Sequence, residues 1–234
     1  MPIFYDLPYE ETSVRILIIK LHQSLALWSP LTNVKQRKIP LSNFSNKQIE
    51  TMSKLYIDAN TLLAQSFELA KMIFDSDFRP TALVALWRGG TPIGIAIHEG
   101  LSFLGVNTKH FALRTSYYDN QNQRRDSVQI DNLSMIIDQL NRNDSLLIVD
   151  DVFDSGNTIN TLINTLHESE IIDTPKEIRI ATPYYKPNNN QTNLKPDFYL
   201  QETEQWIVFP HELHGLSDKE IKNNKASANI LLRS

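Results

Sequence analysis

The sequence contains no cysteine. Disulfide bonds, thiolate catalysis, zinc fingers and iron–sulfur clusters are therefore excluded, because each of them uses cysteine sulfur. Long hydrophobic runs are also missing. The best early run, residues 14–19, is interrupted by Arg15 and is too short for a membrane span or a signal peptide. We therefore expect a cytoplasmic protein with no membrane partner.

Positive charge is in short supply. Lysine and arginine number 23 against 27 aspartate and glutamate residues, which gives a formal net charge of −4. Proteins that bind nucleic acid usually carry a basic domain or a basic stripe, so we expect no nucleic-acid partner. A site for an anionic ligand would have to gather its positive charge locally or take it from metal ions.

The composition is that of one globular domain with an added subdomain. Of the 234 residues, 41 % are hydrophobic and 21 % are charged, which is enough for a single well-filled core. Residues 1–45 are predicted to be an N-terminal helical extension, from the helical spacing of Val14, Leu17, Ile18, Leu21 and Leu25. Residues 46–234 are predicted to form the main domain.

The main domain alternates between two hydrophobic patterns. Short apolar runs of the strand type occupy residues 81–87, 108–113, 145–149, 177–182 and 197–200. Helical spacing occupies residues 58–74, 93–104, 133–140 and 158–168. This alternation predicts an α/β fold, with a mostly parallel sheet flanked by helices. In such sheets ligands bind at the carboxyl ends of the strands.

A polar stretch, residues 115–131, interrupts this alternation. It carries Tyr117, Tyr118, Arg124 and Arg125 among asparagine and glutamine residues. The stretch is too polar for a core and long for a connection. We interpret it as a mobile lid over an active site; a surface loop without a function is the alternative.

The most informative segment is residues 146–158, with the sequence LLIVDDVFDSGNT. It predicts a buried strand that ends in two carboxylates, Asp150 and Asp151, and then a small polar turn that opens a helix. Backbone N–H groups at such a helix start form a seat for a phosphate, and Gly156 permits its close approach. Ser155 and Thr158 add hydroxyl donors, while the carboxylates can accept from ribose hydroxyls or bind Mg²⁺. The layout suits a ribose phosphate.

Acidic residues after an apolar strand also occur in other kinds of site. A Walker B segment requires a Gly-x-x-x-x-Gly-Lys-Ser/Thr loop, which this sequence lacks. A receiver domain would carry its acidic pair near the start of the chain. A helix cap accounts for Asp154 or Ser155, but it leaves Asp150 and Asp151 unexplained.

The segment resembles the motif of type I phosphoribosyltransferases that binds 5-phosphoribosyl-1-pyrophosphate (PRPP). All positions of that motif match: four bulky apolar residues, two acidic ones, two apolar ones, then Asp-Ser/Thr-Gly-x-Thr. The resemblance implies that Asp150 and Asp151 hold the ribose hydroxyls and Mg²⁺. It implies that Asp154 takes or orients the N7 proton of a purine, with a plain N-cap as the alternative role. The 5′-phosphate would be bound by Asp154, Ser155, Gly156, Asn157 and Thr158.

The resemblance extends over residues 56–212. The sequence Arg88-Gly89-Gly90 resembles the family's pyrophosphate-binding loop and implies that Arg88 and Gly89 bind pyrophosphate. Residues 114–118 resemble the entry to the family's flexible lid.

A C-terminal hood, predicted over residues 183–215, would cover the base. Lys186 and the pair Trp206-Ile207 are similar in spacing to the purine-reading residues of the xanthine–guanine and hypoxanthine branch. This implies that Lys186 contacts O6 and that Trp206, with Ile207 beside it, stacks on the ring. A solvated surface lysine and a core tryptophan are the alternatives. Glu212 is implied as a ligand of a second Mg²⁺ or, alternatively, as a contact to the far edge of the base. The residue before it, His211, stands where the branch commonly has an aromatic residue.

The resemblance implies transfer of the 5-phosphoribosyl group from PRPP to a 6-oxopurine, which is a reaction of purine salvage. Mg²⁺ is the implied cofactor, PRPP and a purine base are the implied substrates, and a homo-oligomer is the implied assembly. An ammonium group donates but cannot accept, so Lys186 favours a 6-oxo group over a 6-amino group. A pyrimidine or orotate transferase and a non-catalytic nucleotide sensor stay open as alternatives.

Overall fold

The computed structural model describes residues 54–118, 127–131, 133–168 and 175–232. The N-terminal extension predicted over residues 1–45 lies outside these ranges, and so do Arg124 and Arg125 of the predicted lid. The strands are β1 (Lys54–Tyr56), β2 (Ala82–Trp87), β3 (Lys109–Tyr118), β4 (Ser127–Asp131), β5 (Ser145–Val149), β6 (Val152–Phe153), β7 (Glu177–Tyr185), β8 (Phe198–Glu202) and β9 (Trp206–Val208). The helices are α1 (Ala59–Asp75), α2 (Gly90–Phe103), α3 (Leu133–Ile137), α4 (Asn157–Glu168) and α5 (Asp218–Asn224), and a 3-10 helix spans Ala226–Leu231.

The main sheet has the strand order β4-β3-β2-β5-β7-β6, and β8 pairs with β7. All of its pairs are parallel except β3 with β4. This confirms the predicted α/β fold. From β2 the chain goes to β3 on one side and then to β5 on the other, so the strand order reverses between β2 and β5. Ligands of open α/β sheets bind at such a reversal.

The central strands are buried on both faces, which explains their continuous apolar sequences. On one face Leu83, Ala85, Leu147 and Val149 pack with apolar residues of α1 and α2. On the other face Val84, Leu86, Leu146 and Ile148 pack with Ile159, Leu162 and Leu166 of α4. The carboxyl ends of β2 and β5 are therefore held between two packed layers. None of the helices in the described ranges has the length and apolar character to cross a bilayer.

The stretch predicted as a lid begins and ends in regular structure. β3 continues beyond the predicted end at residue 113 to Tyr118 and pairs antiparallel with β4, with Arg114 opposite Asp131 and Thr115 opposite Ile130. An edge ribbon needs only one covered face, and Ile130 supplies that contact with the core. Polar residues are therefore compatible with strand structure here. The lid stays a prediction, because residues 119–126 in its middle lie outside the described residues.

A second, two-stranded sheet lies in the predicted hood. β1 pairs in parallel with β9, with Lys54 opposite Trp206 and Tyr56 opposite Val208. β1 was not predicted, because a strand of three residues carries no readable periodicity. The hood therefore includes residues that precede the main sheet in the chain, in addition to the predicted residues 183–215.

The C-terminal segment is tied to this small sheet by polar contacts. The Glu220 carboxylate of α5 accepts from Lys54 Nζ at 2.5 Å and from the Tyr56 hydroxyl at 2.9 Å. Ser217 and Glu220 form a capping box at the start of α5. Lys225 is buried and donates to the backbone carbonyl of Phe209. These bonds fix β9 and the residues that follow it.

We expect Glu220 to stabilise the fold in a pH-dependent way. The Lys54 ammonium, followed by the bonds from Ser217 and Tyr56, lowers the pKa of Glu220 from its ordinary 4.5 to about 2. A lowered carboxyl pKa gives stability that is present above pH 4.5 and is lost as the pH falls towards 2. Glu220→Gln is therefore expected to be less stable than the wild type at pH 7. The difference in stability between the two proteins should disappear as the pH falls from 4.5 towards 2.

Urea unfolding of both proteins from pH 7 to pH 2 measures this gap. Glu68→Gln is the control, because Glu68 is exposed on α1 and its substitution removes the same charge. If the loss of unfolding free energy in Glu220→Gln stays constant with pH, the charge of Glu220 does not contribute to the stability of the fold.

Candidate active site

The carboxyl ends of β2, β5 and β7 bring three polar segments together. Residues 88–90 follow β2, residues 150–158 follow β5, and residues 186–192 follow β7. These segments contain most of the predicted site residues. The first two flank the point where the strand order of the sheet reverses.

The loop after β2 lies directly against the end of β5. A Cβ atom added to Gly89 would lie 1.8 Å from Asp151 Oδ2, and one added to Gly90 would lie 2.3 Å from the carbonyl oxygen of Val149. At Gly90 the obstacle is backbone, so only glycine fits there, whereas a side chain at position 89 would require the Asp151 carboxylate to move. Arg88 is exposed, and the peptide bond between Trp87 and Arg88 is cis. The loop thus carries an exposed cationic residue, Arg88, next to the glycine that lies against Asp151.

The acidic pair at the end of β5 is electrostatically strained. Burial raises the pKa of Asp150 well above its ordinary value, and the neighbouring carboxylate of Asp151 raises it further. The backbone N–H of Asp151 donates to Asp150 Oδ1 at 3.0 Å. A divalent cation would relieve the repulsion, and Mg²⁺ commonly takes one or two carboxylates together with substrate oxygens and water. The pair therefore fits the predicted cofactor.

Glu212 bonds to the backbone of its own turn, where its N–H also donates to the Phe209 carbonyl at 3.0 Å. Its Oε2 accepts from the backbone N–H of Phe209 at 3.1 Å. Across the part of the chain that the structure describes, no three His, Asp or Glu side chains are grouped to hold a metal. The role of Glu212 as a Mg²⁺ ligand stays a prediction.

The turn after Phe153 has the form expected of a phosphate seat. Gly156 has φ +77°, a conformation that glycine adopts at no steric cost. A Cβ on Gly156 would also lie 2.7 Å from Thr192 Oγ1. The α4 helix begins at Asn157, so its first N–H groups face this turn. A cavity here is lined by Asp150, Val152, Phe153, Asp154, Ser155, Gly156, Thr158 and Ile159.

Lys186 and Asp154 form an ion pair beside this turn. Lys186 is buried, with 7 % of its surface exposed, and its Nζ lies 3.1 Å from Asp154 Oδ2. Asn189 Nδ2 donates to Asp154 Oδ1 at 2.9 Å. The alternative of a solvated surface lysine is therefore wrong, and Asp154 has bonds that a simple N-cap does not require.

Trp206 is 44 % exposed, although its neighbours Ile207 and Val208 in β9 are buried. The alternative of a core tryptophan is therefore wrong as well. An exposed indole offers a flat apolar face to a ligand. Ile207 packs into the core below it, so Ile207 supports the strand that carries Trp206.

Sequence reasoning gave no role in the site to two residues that the structure places there. His211 stacks on Phe209, with ring centroids 5.7 Å apart and planes at 8°. Its Nε2 lies 3.7 Å from Asp151 Oδ2, and within the described residues this buried nitrogen has no hydrogen-bond partner. Asn189 was missed because no motif includes it. His211 could have been noticed in the sequence, because it stands where the xanthine–guanine and hypoxanthine branch commonly has an aromatic residue.

A family model described as "Phosphoribosyl transferase domain" matches residues 45–217. The chain belongs to the phosphoribosyltransferase family. The match covers Arg88-Gly89-Gly90, the segment at residues 146–158 and the whole of the predicted hood, residues 183–215. No curated protein sequence matches the chain.

Solved structures of phosphoribosyltransferases share this fold. The purine phosphoribosyltransferase from Pyrococcus horikoshii is 24 % identical over 71 % of this chain and 98 % of its own, with a TM-score of 0.55. The xanthine-guanine-hypoxanthine phosphoribosyltransferase of Helicobacter pylori is 25 % identical over 74 % of this chain and 99 % of its own, with a TM-score of 0.54. A hypothetical protein from Neisseria gonorrhoeae with bound ppGpp is 18 % identical over 76 % of this chain and 98 % of its own, with a TM-score of 0.62.

Proposed function

We propose that the protein transfers the 5-phosphoribosyl group of PRPP to a ring nitrogen of a 6-oxopurine, with release of pyrophosphate. The observation that carries this proposal is the buried Lys186 ammonium 3.1 Å from the Asp154 carboxylate. A 6-oxopurine presents an acceptor at O6 and, in its N7–H form, a donor next to it. A donor-only ammonium and an acceptor-only carboxylate, side by side, match that edge.

The residues of the chain have distinct parts in this reaction. Asp150 and Asp151 would hold the ribose hydroxyls, and the turn at Gly156 would hold the 5′-phosphate. Arg88 would bind the pyrophosphate as it leaves, and Asp154 would accept the N7 proton as the new bond to C1 forms. Mg²⁺, when bound, would neutralise negative charge on the pyrophosphate.

The comparison with the Helicobacter pylori enzyme supports a purine over a pyrimidine as acceptor, because that protein is a xanthine-guanine-hypoxanthine phosphoribosyltransferase. Purine salvage would be the metabolic setting. A nucleotide sensor is the second candidate. The Neisseria gonorrhoeae structure holds ppGpp on the same fold, and a phosphate seat serves binding without chemistry equally well.

Pyrophosphate release from PRPP and Mg²⁺, measured across a panel of bases, tests the proposal. We expect turnover with at least one of hypoxanthine, guanine and xanthine, and little with adenine, orotate or uracil. Chelation of Mg²⁺ should abolish it. Preference for a pyrimidine would instead identify the protein as a pyrimidine or orotate phosphoribosyltransferase. No turnover with any base, together with tight nucleotide binding, would make the protein a sensor.

A further inference from the structure

The loop after β7, residues 186–192, runs along the phosphate-binding turn and bonds to it at several points. The backbone N–H of Lys186 donates to the Phe153 carbonyl at 2.9 Å, and that of Gln191 donates to the Ser155 carbonyl at 2.9 Å. Asn157 Nδ2 donates to Gln191 Oε1 at 3.0 Å. The turn that receives the phosphate and the loop that begins with Lys186 are therefore one connected structure.

Asp154 lies between these anchor points, and both of its carboxylate oxygens are engaged. Lys186 Nζ is 3.1 Å from Oδ2, and Asn189 Nδ2 donates to Oδ1 at 2.9 Å. The side chain of Asp154 is nevertheless 40 % exposed. A carboxylate bonded at both oxygens cannot rotate without losing a charge-assisted hydrogen bond. Lys186 and Asn189 therefore hold the Asp154 carboxylate in one orientation, although part of this side chain is exposed.

A tight turn places Asn189 for this contact. The Asn189 backbone N–H donates to the Lys186 carbonyl at 3.2 Å, which closes a four-residue turn with Pro187 in its second position. Proline is favoured there because its fixed φ suits the turn. Within the turn, the Asn188 backbone N–H donates to Glu204 Oε1 at 3.2 Å. The backbone of Asn189 is therefore fixed relative to Lys186, and its amide reaches the far oxygen of Asp154.

We propose that Asn189 is a positioning residue that holds Asp154 in the orientation in which it receives the proton of the base. This inference rests on the proposed function. Lys186 bonds only Oδ2 of the carboxylate, and its ammonium would share its donors with the O6 of the base, whereas Asn189 holds the other oxygen, Oδ1. The amide of Asn189 has no such second task, so it keeps the carboxylate in place while Lys186 engages the substrate.

Steady-state kinetics of Asn189→Ala test the proposal. We expect kcat/KM for the base to fall roughly ten- to a hundredfold, the range expected for a hydrogen bond to a charged group, with the KM for PRPP within about twofold of the wild type, since PRPP contacts other residues. Asn188→Ala is the matched control. Asn188 is the same residue type in the same turn, is exposed, and contributes its backbone N–H to the bond with Glu204. Equal losses in both variants would overturn the proposal.

Two further variants separate positioning from packing. Asn189→Asp keeps the shape of the side chain but sets one carboxylate against another, so it should be more damaging than Asn189→Ala. A packing role predicts the reverse order. In an Asp154→Asn background, Asn189→Ala should lower kcat/KM for the base by less than about a further twofold, because the carboxylate through which Asn189 acts is already gone. Additive losses in this cycle would also overturn the proposal.

A binding measurement keeps this inference distinct from the proposed function. Absence of wild-type turnover with every base would refute the proposed reaction itself. Calorimetry with guanine, which can present its N7–H to Asp154, and with ribose 5-phosphate then measures the contact directly. Asn189→Asp should weaken binding of guanine about tenfold or more and leave ribose 5-phosphate nearly unchanged. Equal affinity of wild type and Asn189→Asp for guanine would show that Asn189 does not govern the base side of the site.

Discussion

The double variant Asp150→Asn, Asp151→Asn is expected to lose PRPP binding and turnover while it keeps its fold. Each carboxylate would accept hydrogen bonds from ribose hydroxyls or bind Mg²⁺. Hydrogen bonds to charged groups contribute about 1.5–3 kcal/mol each. Two such losses amount to about 3–6 kcal/mol, on the order of a hundredfold to ten-thousandfold in PRPP affinity. Calorimetric titration with PRPP and Mg²⁺ measures this loss.

The same variant should be at least as stable as the wild type. Burial and the neighbouring Asp151 raise the pKa of Asp150. A raised carboxyl pKa opposes folding at pH values above the ordinary one, since the unfolded chain ionises there more easily. Neutral asparagine of nearly the same shape removes that opposition. A melting temperature at pH 7 equal to or above that of the wild type would therefore accompany the loss of binding.

The other end of β5 provides the matched control, because Asp144 immediately precedes the strand. Burial acts to raise the pKa of Asp144, but bonds from the Thr81 hydroxyl at 2.6 Å and the Asn141 backbone N–H at 2.9 Å outweigh burial and lower it. Asp144→Asn should lower stability by about 1–3 kcal/mol and leave PRPP affinity unchanged. Unchanged PRPP affinity in the double variant would remove the assignment of the acidic pair.

Lys186→Gln is expected to relax the choice between oxopurines and adenine. In the wild type, the lysine would set a donor against the 6-amino group of adenine, and such a buried mismatch costs roughly 1–3 kcal/mol, on the order of tenfold to a few hundredfold in rate. Glutamine can turn its carbonyl towards an amino group, so the ratio of kcat/KM for oxopurine to that for adenine should fall. Because Lys186 also bonds Asp154, the absolute rates should fall for every base.

Trp206→Ala provides the contrast for this experiment. Trp206 is half exposed and would contact the face of the ring rather than its edge. Loss of stacking should raise the KM for all purines by similar factors and leave the ratio of oxopurine to adenine efficiency near that of the wild type. Competition kinetics with hypoxanthine, guanine and adenine separate the two effects. A Lys186→Gln ratio equal to that of the wild type would refute the role of Lys186 in base choice.

The local parts of this protein were readable in its sequence. The segment at residues 146–158 is contiguous, and its strand, acidic pair and glycine turn follow from apolar runs and from the backbone freedom of Gly156. The α/β fold class was also predictable, because the alternation of strands and helices follows from hydrophobic periodicity, which is a local property of the sequence. The place of Arg88-Gly89 in a short loop after a buried strand was also predicted correctly.

Only the tertiary structure decided which distant residues meet. The bonds of Asp154 to Lys186 and Asn189 join segments that follow different strands, and the approach of His211 to Asp151 joins the hood to the end of β5. The pairing of β1 with β9 is of the same kind. None of these contacts leaves a pattern in the sequence, because each depends on the order in which parallel strands lie side by side. That order is set by the burial of both sheet faces and by long-range packing, and local propensity does not specify it.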